Sequence, residues 1–319
     1  MYYIGIDLGG TNIAVGIVDK SYKIVVKGSV PTRAERPGEE VIKDMADLCA
    51  KLVNDAGLTF DDIVYAGIAS PGTVNPETGY IDYANNLNFK EFPIAEMLMS
   101  HIPLKKVYVE NDANAAAKGE AVAGAAAGVR NAVMVTLGTG VGGGIIIDGN
   151  IYYGFNHAGG ELGHFVIEYN GRPCTCGRKG CWEAYSSATG LINMTREKIE
   201  ECKNSGRETL MTEIVEKEGK VSGKTAFAAM KKGDDAGSEV VDMYISYLAC
   251  GIANIITTFM PEVIVIGGGI CHEGDNLINP LNDKVNKLLY ENSTLDRPVI
   301  KTAQLGNDAG IIGAAALGF

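Results

Sequence analysis

Apolar residues in this 319-residue chain follow two rhythms, one of strands and one of helices. Residues 1–18 read strand, turn, strand: two β-rich runs meet across Gly9, Gly10 and Thr11, which predicts a hairpin. Residues 39–56 carry helical spacing. Residues 63–69 and 107–110 are short apolar runs of the buried-strand kind, ending at Ser70-Pro71-Gly72 and Asn111-Asp112. Residues 113–121 then offer strong helix formers. Residues 131–137 form another strand run, followed by seven residues of which five are glycine and by the β-branched run 145–147. Farther on, 189–217 reads as one charged helix with a solvated face. Residues 238–259 form a longer amphipathic helix stopped by Pro261. Residues 262–266 are a buried strand opening into a bare turn, Gly267-Gly268-Gly269. Residues 309–317 are a small, apolar helix able to dock back on another domain.

The glycine run at 138–144 contains Gly-x-Gly-x-x-Gly, the dinucleotide fingerprint. That fingerprint needs a helix after it, and a strand run follows here. It is therefore a second strand, glycine turn, strand unit. Thr-Leu-Gly-Thr-Gly there echoes Asp-Leu-Gly-Gly-Thr in the first hairpin, so the chain reads as a duplicated half. Gly223-Lys224-Thr225 mimics the end of a Walker loop. Position 218 is Glu where that loop needs glycine and no strand precedes it, so it is a helix start.

Length predicts about two domains. Glycine is abundant, with 41 residues, and clustered, as where backbone approaches a ligand. The net charge of −11 argues against nucleic acid as a bulk partner, because phosphate contacts need Lys and Arg. An anionic cofactor held by backbone amides and a metal stays open. The seven cysteines include four dispersed ones, Cys49, Cys202, Cys250 and Cys271, which is no disulfide framework and suits a reducing cytosol. No secretory signal and no 18-residue apolar run stand out, so neither export nor a membrane span is expected.

Candidate chemistry concentrates at 159–183. His164, Cys174, Cys176 and Cys181 offer one imidazole and three thiolates, the donor set of a closed tetrahedral zinc site. Gly177 and Gly180 let the chain turn back between the last two thiols. Buried thiols and an ordinary core histidine are the plainer alternative. Glu161 and Glu183 flank the set, either orienting it or facing a substrate. Asp7 closes a strand and could hold a metal ion through water; taken alone, a turn-signal aspartate in a plain hairpin is the favoured reading. Asp112 sits at a strand's carboxyl end and a helix's amino end, as an N-cap or as a carboxylate where α/β sheets bind ligands.

In this order, the two hairpins, Asn111-Asp112, the Glu-Leu-Gly-His and Cys-x-Cys-Gly-x-x-Gly-Cys-x-Glu motifs and Gly267 to Gly269 resemble the ROK family of sugar kinases, especially its bacterial glucokinases. The resemblance spans essentially the whole chain. It implies an α/β, actin-like (ribonuclease H-like) fold of two domains with a cleft between them, 1–118 plus 303–319 and 119–302. It implies an ATP-dependent cytoplasmic enzyme phosphorylating a hexose, most readily glucose, at its 6-hydroxyl, as a homodimer or homotetramer without nucleic-acid or membrane partners. Asp7, Gly9, Gly10 and Thr11 would form the first phosphate loop, with Asp7 toward Mg2+. Gly138, Thr139 and Gly140 would form the second, and Gly268 would line the adenosine pocket. Asp112 would be the catalytic base. Asn86, Asn111, Glu161, His164 and Glu183 would bind sugar hydroxyls, His164 serving structural Zn2+ through its other ring nitrogen. Two departures from the family pattern, Asn86-Leu87-Asn88-Phe89 and Gly159-Gly160-Glu161, bear on which sugar fits. Kinases for N-acetylmannosamine, N-acetylglucosamine, fructose or allose, and a sugar-binding regulator without catalysis, are the rival readings. The family's repressors add an amino-terminal DNA-binding segment, for which residues 1–18 leave no room.

Overall fold

The computed structural model describes residues 1–84, 86–290 and 296–318. It divides into two compact units, residues 1–134, 144–160 and 303–319 in one and 135–143 and 161–302 in the other. Strands β1 (Tyr2–Leu8), β2 (Asn12–Asp19), β3 (Ile24–Pro31) and β4 (Ile63–Ser70) are followed by a small antiparallel sheet of β5 (Thr73–Asn75), β6 (Tyr80–Ala84) and β7 (Phe89–Phe92), then by β8 (Val107–Asn111). The first large sheet has the order β3-β2-β1-β4-β8. Its β1–β2 and β2–β3 pairs are antiparallel, and β4 lies parallel to β1 and β8. The second comprises β9 (Ala132–Leu137), β10 (Val141–Ile147), β11 (Asn150–Ile151), β12 (Val263–Gly267) and β13 (Val299–Thr302), in the order β11-β10-β9-β12-β13. Both sheets thus run third, second, first, fourth, fifth, and each begins with a glycine-turn hairpin, which gives the duplication a topological form.

The helices are α1 (Gly38–Asp55), α2 (Ile94–His101), α3 (Asp112–Ala123), α4 (Glu183–Ser186), α5 (Ala188–Ser205), α6 (Leu210–Glu218), α7 (Thr225–Met230), α8 (Asp235–Phe259), α9 (Asp275–Leu288) and α10 (Ala309–Ala315). Gly223-Lys224-Thr225 is a helix start, with α7 beginning at Thr225. The expected single helix over 189–217 is two. Gly206 takes a left-handed conformation at φ 70° and ends α5, and Thr209 caps α6. By length and composition alone α8 is apolar enough to cross a membrane, a test that a buried core helix also passes, and 61% of its apolar window is buried. Serine, threonine, asparagine and glycine within it hide this from a search for unbroken apolar runs. Its residues Val240, Val241, Tyr244, Ile245, Leu248, Ala249 and Ile252 are buried. The bare turn at Gly267–Gly269 is shorter than expected, because Gly269–Glu273 forms a 3-10 turn.

Glycine decides how α10 docks within the first unit. A Cβ at Gly5 of β1 would lie 1.9 Å from the Ile311 carbonyl oxygen, and one at Gly67 of β4 the same distance from that of Ala314. On α3, a Cβ at Gly119 would meet the Ala309 oxygen at 2.4 Å, and one at Gly313 of α10 would meet the Ala115 oxygen at 1.6 Å. The helix therefore sits directly on backbone, with no side-chain layer between. Glu120 of α3 is fully buried and accepts hydrogen bonds from the amides of Ala125, Gln304 and Leu305 at 2.7, 2.9 and 2.8 Å. That carboxylate holds the chain leading into α10. Gly313→Ala should lower the melting temperature by several degrees, about 2 kcal/mol of overpacking, although alanine is the better helix former. A melt by circular dichroism checks this, and an unchanged midpoint would show that α10 is loosely docked.

Candidate active site and metal cluster

The first glycine turn is held from behind. The Gly9 amide donates to the Asn12 carbonyl at 2.9 Å, and the Thr32 hydroxyl donates to the Gly9 carbonyl at 2.6 Å. The Thr32 amide donates to the Thr11 carbonyl at 2.8 Å. Asn86 stands beside this turn, since a Cβ on Gly10 would lie 3.4 Å from its own Cβ. Asp7 ends β1 just before the turn, and Gly310 packs against it: a Cβ there would come within 2.7 Å of the carboxylate. Asp112 is the first residue of α3, and Asn111, not Asp112, is the N-cap. The Asn111 side-chain oxygen accepts from the amides of Ala113 and Asn114 at 2.9 and 3.3 Å, while its amide nitrogen donates to the Gly72 carbonyl at 3.1 Å. Asp112 Oδ1 accepts from the Ala113 amide at 2.8 Å. Capping thus falls to the neutral side chain, and the neighbouring carboxylate is not needed for it. Asp7 feels Asp112: burial first, and then the Asp112 charge, push the Asp7 carboxyl up to about 6.

In the second unit, the turn at Gly138, Thr139 and Gly140 is held in the same manner by different residues. The Gly138 carbonyl accepts from the Ala188 amide at 2.8 Å, and the Thr139 carbonyl accepts from the Thr189 hydroxyl at 2.7 Å. Glu183 Oε2 accepts from the Val141 amide at 3.0 Å, and Oε1 accepts from the Thr175 hydroxyl at 3.3 Å. Gly268, at φ 85°, lies against Leu137 at the end of β9, with room for no Cβ. Glu161 is exposed and precedes a 3-10 turn over Leu162–His164, which rests on β10 through Gly163. A cavity of about 820 Å³ opens beside this turn, lined by Thr139, Gly140, Arg172, Thr175, Glu183 and Thr189 among others.

His164, Cys174, Cys176 and Cys181 bring their donor atoms within 4.8 Å of one another. Cys176 and Cys181 sulfurs are 3.6 Å apart, and Cys174 sulfur is 3.8 Å from His164 Nδ1. Tetrahedral zinc with ordinary bond lengths requires edges of roughly 3.5–3.8 Å. The cluster therefore fits a four-coordinate ion with little rearrangement. The amide and then the guanidinium of Arg178 pull the Cys176 thiol down to about 6, while burial pushes Cys181 up to about 12. Trp182 anchors this segment. It is fully buried, donates from Nε1 to the Tyr247 carbonyl at 3.0 Å, and occupies space that α8 vacates at Gly251.

The structure thus gathers Asp7, Gly9, Gly10, Thr11, Asn86, Asn111 and Asp112 in the first unit. It gathers Gly138, Thr139, Gly140, Glu183, Gly268 and the metal cluster in the second. Sequence reasoning passed over Thr32, Thr175 and Thr189, which hold the turns and Glu183. Their signal was weak, since a hydroxyl directed at a distant carbonyl leaves no local spacing. The elevated Asp7 carboxyl has a measurable consequence. The unfolded chain ionises Asp7 near 3.8 and the fold only near 6, so the stability carried by its protonated form is lost as pH rises through that window. The gap corresponds to about 3 kcal/mol. In magnesium-free buffer, Asp7→Asn should melt several degrees above wild type at pH 7.5, with the difference closing toward pH 4. A lower midpoint at pH 7.5 would mean that the carboxylate stabilises the empty site.

Residues 3–318 match the ROK family. The chain is 37% identical to the glucokinase of Halalkalibacterium halodurans over 99% of its own length and 94% of the relative's. Among solved structures, a ROK hexokinase from Thermus thermophilus superposes with a TM-score of 0.82 at 30% identity, covering 99% and 97% of the two chains. A ROK glucokinase from Streptomyces griseus, solved with glucose and AMPPNP, superposes with a TM-score of 0.78 at 29% identity, covering 99% of each chain. A match of this length, together with the paired glycine-turn sheets and the His–Cys cluster, establishes that the chain belongs to the ROK family and has its actin-like α/β fold.

Proposed function

We propose that this protein is a glucokinase, transferring the γ-phosphoryl group of ATP to the 6-hydroxyl of glucose. The observation that carries the reading is the pairing of Asp7 with Asp112. One acid is buried until it holds its proton to about 6, and the other, within range of its charge, opens a helix whose cap is a different residue. Two carboxylates so placed divide naturally between a metal-binding role and a base. Asp7 would hold magnesium through water, since a cation would relieve both the burial and the repulsion that raise it. When bound, magnesium neutralises the phosphate oxygens of the donor.

Phosphoryl transfer asks the protein mainly for positioning and charge neutralisation. The turns at Gly9–Thr11 and Gly138–Gly140 would offer main-chain N–H groups to the phosphates, with no side chain in the way, and Gly268 would admit the nucleoside. Asn86, Asn111, Glu161, His164 and Glu183 would meet the sugar hydroxyls. The 6-oxygen attacks the γ-phosphorus, the bond to the β–γ bridging oxygen breaks, and Asp112 accepts the hydroxyl proton. ADP leaves with the bridging oxygen. His164, Cys174, Cys176 and Cys181 would hold zinc, which fixes the loop bearing Glu161, His164 and Glu183 and takes no part in the reaction. Free thiols throughout suit a reducing cytosol.

ADP release measured across glucose, mannose, fructose, allose and the N-acetylhexosamines tests the substrate. Highest kcat/KM for glucose is expected, and a preference for an N-acetylhexosamine would move the protein to another kinase activity. In the same assay Asp112→Asn should lose at least a hundredfold in kcat while glucose still binds by calorimetry. Retained turnover would remove Asp112 as the base. Cys176→Ser should lose zinc by elemental analysis and melt earlier, and full metal content would break the ligand set.

A further inference from the structure

Glu110 is the penultimate residue of β8, one position before Asn111 and two before Asp112. It is only 3% exposed, and among the described residues no lysine or arginine pairs with it. Burial pushes its carboxyl above the ordinary range, and its hydrogen bonds to Asn114 and Asn111 and the neighbouring His157 draw it back. Tyr153 and His157, from the loop after β11, lie within its electrostatic reach. An acid in such a place costs free energy unless its oxygens are used. Oε1 is used twice, accepting from the Asn111 amide at 2.8 Å and from the Asn114 side-chain amide at 3.0 Å.

These bonds close a ring. Glu110 holds the backbone of Asn111 and the side chain of Asn114. Asn111 caps the amides of Ala113 and Asn114 and is itself tethered to the Gly72 carbonyl. Asp112 lies inside the ring in sequence, between Asn111 and Ala113. Its direction is set by the backbone that the ring fixes. We propose that Glu110 is a positioning residue for the catalytic centre, aiming the Asp112 carboxylate by clamping the strand-to-helix junction from the interior. This rests on Asp112 being the base. The clamp works as a hydrogen-bond acceptor, so a neutral amide of the same shape can serve, whereas an apolar side chain leaves the Asn111 amide and the Asn114 amide group unpaired.

The test compares Glu110→Gln, Glu110→Leu and Asp112→Asn in the full-length, zinc-loaded enzyme. Glu110→Gln should keep kcat within about threefold of wild type. Glu110→Leu should lose about 10- to 100-fold in kcat, the order expected from a small misplacement of a reacting group. Its KM for ATP should stay unchanged, and amide hydrogen exchange should quicken at residues 111–114. Wild-type kcat and exchange in Glu110→Leu, or equal damage in Glu110→Gln, would overturn the inference. Should Glu110→Leu not fold, Asn114→Ala removes one donor from the ring; a severalfold loss of kcat supports the clamp, and wild-type kcat refutes it. If Asp112→Asn keeps its turnover, the base assignment fails by itself, and exchange at 111–114 still decides whether the ring is a clamp.

Discussion

A largely buried carboxylate within range of a second, exposed one is the constraint on which the first unit turns. Asp7 is largely buried, whereas Asp112 is exposed at the start of α3, so burial first and the Asp112 charge second raise the cost of ionising Asp7. A fold that keeps such a pair has given up stability in the empty protein. A proton or a nearby cation relieves that cost. The surrounding residues serve the same end. Asn111 takes over the capping, and Gly310 lets α10 press close to Asp7.

Both glycine turns are held through their carbonyls, the first by Thr32 and the second by Ala188 and Thr189. Glu183 adds a link in the second unit, one oxygen on the Val141 amide and the other on Thr175 within the metal-binding segment. The His–Cys cluster and the second turn are therefore mechanically continuous.

Much of this was legible in the residues. The hairpins, the strands ending at Ser70 and Asn111, and the four clustered His and Cys donors all announce themselves by local spacing, because turn chemistry and thiol-imidazole sets act over short stretches. The break between α5 and α6 was missed because charged helix formers run almost continuously and only Gly206 interrupts them. The apolar length of α8 was missed because polar residues small enough to pack sit within it. The strands β3 and β5–β7 carry ordinary alternating patterns that acquire meaning only when paired. Thr32 and Glu110 escaped for a different reason: each acts through one directed hydrogen bond or a small ring of them, and direction is a property of the folded chain.

The docking of α10 has a consequence for biosynthesis. α10 leaves the ribosome long after β1, β4 and α3, yet it lies on the backbone of those strands and against that helix, with glycine at each close approach. Domains otherwise tend to fold from the amino terminus as they are made. Here the first unit waits for residues 309–315, and until they emerge the strand faces beneath α10 stay uncovered. Such a nascent chain keeps those faces open to aggregation while residues 135–302 are made, and loss of α10 would strike the half that was synthesised first.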